Sequence, residues 1–218
     1  MLLVLMALVV SSLRDSGLPV LRDLHLPFTW LETFFHEISH GITALLTGGR
    51  IERIVLEASG GGRCEYTNGW QPLVLFAGYF GAALWGTLIY RGATSSTHTA
   101  HRVALGLVIF IGVSGLLWAS GDFTTWVILL VILLMIFVPL WFVQTHFVQW
   151  FLQFLGIYVL ISSTRSLVDL LHSSSRQADA ARLADLTGYG ERFWVILWMF
   201  LSIGLLLLLW RKARLNSR

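Results

Sequence analysis

The chain has 218 residues, of which 56% are hydrophobic and 12% charged, with a mean hydropathy of +0.74. A soluble domain carries roughly 25% charged residues, so this composition excludes a single soluble core and indicates an all-α polytopic integral membrane protein. The formal net charge of +3 is too small to suggest nucleic acid as a partner, and the single cysteine, Cys64, excludes an intrachain disulfide.

The chain opens on "MLLVLMALVV", which is shorter than the roughly 20 apolar residues that span a bilayer. It reads as a short first span, a signal-type segment or a re-entrant piece. The first long apolar stretch runs from Pro27 to Thr47, with Pro27 suited to a first helical turn and Gly48-Gly49 suited to a stop. Residues 48–69 follow as "GGRIERIVLEASGGGRCEYTNG". Ile51, Ile54, Val55 and Leu56 are β-prone, "SGGG" can turn, and "RCEYT" can return, so a small β-hairpin is expected after the first long helix.

Further spans are expected over Gln71 to Tyr90, Val103 to Ser120, Thr124 to Val143, Phe147 to Leu171 and Phe193 to Trp210. Gly78, Gly81 and Gly86 permit close helix packing or a flexible wall beside a site. His98 and His101 fall in a connection and read as solvated rather than as a second metal site. "SGDF" and "QTH" are tight turns between antiparallel neighbours. The stretch from His172 to Arg192 is polar, and "ADAARLADLTG" within it resembles a short surface helix ending at Gly188. "RKARLNSR" closes the chain as a basic topology signal. The expectation is one membrane-embedded domain over residues 1–218 with six transmembrane helices, or seven if the first segment crosses.

Chemistry concentrates in "FFHEISHGITALLTGGR". His36 and His40 are four apart, so on a helix both imidazoles share one face and can bind one ion. Glu37 lies beside them, placed to act as general base. Thr29, Thr33, His36, His40, Thr43 and Thr47 recur at steps of three or four and form a polar stripe on an apolar helix. In lipid such a stripe must face the bundle interior or a wet cavity. Packing against a neighbouring helix could explain one such histidine, but HExxH on a polar stripe favours a metal site.

Catalytic zinc takes three protein ligands and keeps a fourth position open. Asp169 is the acid in a downstream apolar segment, on a helical face with Ser162, Arg165, Ser166 and His172. Ligands must converge at one depth, so Asp169 is the expected third ligand, with Arg165 able to pair with it or orient it. Asp179 comes next, then His172.

The same residues carry a family resemblance. "HEISHGITALLTGGRI", the glycine-rich "AGYFGAALWG", and the later aspartate segments "YVLISSTRSLVDLL" and "ADAARLADLTG" resemble the site-2-protease-like zinc metallopeptidases of clan M50, in particular the M50B-like branch. The resemblance implies intramembrane proteolysis. Zn²⁺ would sit on His36, His40 and a later aspartate, with Glu37 as base. The substrate would be a membrane protein or peptide within the lipid bilayer, and the location the cell (plasma or inner) membrane. The hairpin after the HExxH helix offers an edge strand that could hold an extended substrate. A different class of function is a non-catalytic membrane protein of the same fold that binds metal or recruits a membrane partner. A transporter is weaker, since no inverted repeat is evident.

Overall fold

Apolar runs cannot leave backbone groups unpaired in lipid, so they coil into helices. The computed structural model describes residues 2–13, 18–119, 121–172 and 178–215. Among these the order is α1 (Leu2–Ser12), α2 (Pro19–Leu46), β1 (Arg50–Leu56), β2 (Gly62–Thr67), α3 (Gln71–Ser95), α4 (Thr97–Trp118), α5 (Phe123–Phe142), α6 (Thr145–His172), α7 (Asp179–Thr187) and α8 (Glu191–Leu215).

Five helices are long and apolar enough to cross a membrane: α3, α4, α5, α6 up to Leu171, and α8 up to Lys212. The expected six or seven spans are reduced by two elements. At about 1.5 Å per residue, the 11-residue α1 reaches about 17 Å, short of a bilayer core of about 30 Å. It packs against α6 instead. The 28-residue α2 is long enough, at about 42 Å, but its polar stripe lowers its hydropathy.

α2 also begins earlier than expected. Pro19 occupies its first turn, where the missing N–H costs nothing, and Pro27 lies inside the helix. His98 and His101 are on α4 rather than in a connection, because the Ser96 hydroxyl accepts the Thr99 N–H at 3.1 Å and starts the helix there.

β1 and β2 pair antiparallel, with Arg50 opposite Thr67, Ile54 opposite Cys64 and Leu56 opposite Gly62, and a bulge between Ile51 and Arg53. Two bonds from α2 hold the hairpin down. Trp30 Nε1 donates to Glu57 O at 3.1 Å, and Thr33 Oγ1 donates to Gly60 O at 2.7 Å. The far edge of β1 is covered where Leu56 N donates to Thr125 Oγ1 of α5 at 2.8 Å. β2 pairs with β1 alone among the described strands and packs against α2.

α3 makes its largest helix contact with α6. Glycines let the two backbones touch. A Cβ on Gly86 would lie 2.6 Å from Gly156 O, and one on Gly156 would lie 2.6 Å from Tyr90 N. The heights are fixed by Ser163 Oγ donating to Tyr79 O at 3.1 Å and Gln149 Nε2 donating to Ala93 O at 2.9 Å. α2 lies against this pair, with Phe35 stacked on Trp85 at a ring separation of 5.2 Å.

The helix "ADAARLADLTG" ends at Gly188, whose φ of 77° is left-handed, as a C-terminal cap requires. One face is at the surface, as expected, with Arg182, Asp185 and Leu186 exposed; the other is covered. Ala180, Ala181 and Leu183 are buried as α7 folds back against α3 and α8.

Candidate metal centre

HExxH places His36 and His40 one turn apart on α2, and α3 supplies the wall behind them. His40 Nδ1 lies 2.7 Å from Val74 O. A carbonyl only accepts, so Nδ1 carries a proton, which leaves Nε2 as the nitrogen able to offer a lone pair to a metal. That nitrogen lies 3.0 Å from His36 Nε2. Asp179 Oδ2, at the start of α7, completes the triangle at 3.1 Å from His36 Nε2 and 3.2 Å from His40 Nε2. These three are the group among the described residues able to hold a metal ion.

Their spacing fits zinc. With Zn–N and Zn–O bonds of 2.0–2.2 Å in tetrahedral geometry, neighbouring ligand atoms lie about 3.3 Å apart. Two imidazole nitrogens and one carboxylate oxygen separated by 3.0–3.2 Å match in kind, number and spacing. Three electron-pair donors this close lose their mutual repulsion when they share a cation. Val74 O supplies the outer hydrogen bond that orients a liganding histidine.

Gly78 completes the cradle. A Cβ there would stand 2.5 Å from His40 Nε2 and 2.7 Å from His36 Cε1. Both rings press against bare α3 backbone, and neither can withdraw without leaving the triangle. Gly78→Ala is therefore expected to lower zinc affinity by at least about tenfold, the lower end of what disturbed ligand orientation costs. Titrating the purified variant against a competing chelator measures it.

Asp169 does not join the histidines. It sits on the exposed side of α6, while Ser162, Arg165 and Ser166 of the same helix line a cavity on the inner side. Arg165 donates to Ser11 O and, at 3.1 Å, reaches Ser11 Oγ. The expectation of a shared depth assumed that the ligand would come from a spanning helix, whereas a short returning helix delivers it. Asp179, rather than the expected Asp169, is the carboxylate that lies with His36 and His40 in this cluster. The His172 side chain lies outside the described residues.

Glu37 is buried, with 7% exposure, and its carboxylate accepts the backbone N–H of Cys64 from β2. The hairpin therefore lies against Glu37 as well as flanking the histidine–aspartate cluster. Cys64 offers no thiolate. Burial, then the nearby Glu37 and Glu65 carboxylates, push its thiol up to about 12.

Two cavities meet at His36, Glu37, Gly62 and Tyr79. The larger, about 740 Å³, is lined by polar groups from α2 and α6 including Thr29, Glu32, Thr33 and Ser162. Thr29, Thr33 and His36 of the expected stripe thus border a polar cavity, while Thr43 and Thr47 do not line it. The smaller, about 270 Å³, lies between β2 and α7 and is bordered by Tyr66, Asp179 and Arg182. Sequence reasoning missed Tyr66, Tyr79 and Arg182. Tyr79 stands edge-on to His36 with ring centres 4.5 Å apart, and no periodic signal marked it.

No curated protein and no solved structure matches the chain. Residues 1–209 match the family described as Peptidase M50B-like. A match over nearly the whole chain, with HExxH on α2 and a carboxylate brought to its histidines, makes this polytopic membrane protein a member of the M50B-like peptidase family.

Proposed function

We propose that the chain is an intramembrane zinc metallopeptidase that hydrolyses peptide bonds of membrane-spanning proteins or peptides in the cell membrane. The observation carrying this reading is the triangle of His36 Nε2, His40 Nε2 and Asp179 Oδ2 with Glu37 beside it. These three residues would hold zinc. When bound, the ion supplies Lewis acidity, making water nucleophilic at neutral pH and polarising the scissile carbonyl.

The chain's own residues do the rest. Glu37 takes a proton from the attacking water as the C–O bond forms, then delivers it to the leaving amine nitrogen as the C–N bond breaks. The polar cavity of about 740 Å³, which Glu37 borders, would hold the water that the reaction consumes. β2 pairs with β1 on one side, and its Gly62, Cys64 and Tyr66 border the site beside the histidines. A substrate segment unwound from helix can pair there as an added strand, which exposes its peptide bonds. Cleavage of a single-pass substrate in proteoliposomes, wild type against Glu37→Gln, tests the reading. Equal cleavage by the two proteins would overturn it.

A further inference from the structure

Tyr66 carries a group that neither the metal triangle nor Glu37 uses. Its hydroxyl is buried and has no hydrogen-bond partner among the described residues. Buried polar groups are nearly always partnered, and an orphan at a site calls for a ligand that is not yet there. Tyr66 borders the same cavity of about 270 Å³ as His36, Glu37, His40 and Asp179. It belongs to β2, the strand proposed to position the substrate backbone. Its phenol is protonated at neutral pH and able to donate. Arg182, one turn after Asp179 on α7, borders this cavity and acts electrostatically on Tyr66.

We propose that Tyr66 is a catalytic residue whose phenol donates a hydrogen bond to the scissile carbonyl oxygen as that oxygen gains negative charge. The inference rests on the metallopeptidase reading. In the step, the water oxygen bonds to the carbonyl carbon, its proton goes to Glu37, and the carbonyl π pair moves onto oxygen. Tyr66 keeps its proton and donates the hydrogen bond. The pair then returns, the C–N bond breaks, and nitrogen leaves with the proton from Glu37, giving a carboxylic acid and an amine. A phenol set on β2 and bordering the same cavity as the triangle would act where charge develops, which is where preorganised donors act most strongly. Tyr79 also borders the cavity, but its hydroxyl is not among the buried polar atoms left without a partner among the described residues.

The test is Tyr66→Phe in the full-length, zinc-loaded protein in proteoliposomes. With a single-pass peptide that the wild type cleaves, kcat should fall about a hundredfold or more, with KM and zinc content unchanged. A phosphinic dipeptide, which offers tetrahedral anionic oxygens, should bind more weakly to the variant by a similar factor. Unchanged kcat together with unchanged phosphinate affinity overturns the assignment. So does loss of zinc from the variant, which marks a structural role. If Glu37→Gln abolishes cleavage while Tyr66→Phe cleaves at the full rate, the tyrosine assignment alone fails. If Glu37→Gln cleaves normally, or the wild type cleaves nothing, the metallopeptidase reading fails and this inference falls with it.

Discussion

Asp179→Ala should purify folded but nearly free of zinc, while Asp169→Ala should keep the wild-type zinc content. The Asp179 carboxylate touches both histidine nitrogens, at 3.1 and 3.2 Å. Asp169 lies on the exposed side of α6 and outside the cluster. Disturbing a group that merely orients a ligand costs about 10- to 100-fold in metal affinity, so removing a ligand should cost at least about 100-fold. Folding should survive, because α7 is anchored by Ala180, Ala181 and Leu183 rather than by its aspartate. Titration of both variants with zinc against a competing chelator measures the difference. Loss of zinc from Asp169→Ala with retention in Asp179→Ala would reverse the assignment.

Glu37→Gln should keep zinc and lose cleavage. The amide matches the carboxylate in size, and its oxygen can still accept the Cys64 N–H that holds the side chain. Glu37 is not one of the three clustered metal-binding groups, so metal content should stay near the wild-type value. Only the ability to take and return a proton is removed. General acid–base groups contribute about 10²- to 10⁴-fold, so cleavage should slow by that factor, equivalent to about 2.7–5.4 kcal/mol of barrier. Zinc content and rate measured on one preparation separate this outcome from misfolding.

What was legible in the sequence follows the reach of local rules. His36, Glu37 and His40 are joined by helix geometry, so spacing alone placed them on one face. The hairpin was visible because its signals, a β-prone run and "SGGG", are also local, and β1 and β2 fall within residues 48–69. The helix at Asp179–Thr187 was found with its end at Gly188. Its direction was not found, because nothing local says which neighbour an amphipathic helix lies against. The pairing of Asp179 with His36 spans 143 positions and depends on α7 returning across α3. One clue was available. Asp179 and Leu183 share a face, and in a membrane protein an apolar face on a short helix needs a surface to cover. Gly78 was noticed as a small residue, but only the fold shows that it is the backbone on which both imidazoles rest.

The most direct measurement of the metal centre is X-ray absorption at the zinc edge of the purified, zinc-loaded wild-type protein. His36, His40 and Asp179 predict a first shell of nitrogen and oxygen only, at about 2.0–2.2 Å, with the outer-shell signature of two imidazoles. A sulfur neighbour at about 2.3 Å, which would bring in Cys64, or fewer than two imidazoles, would contradict this centre.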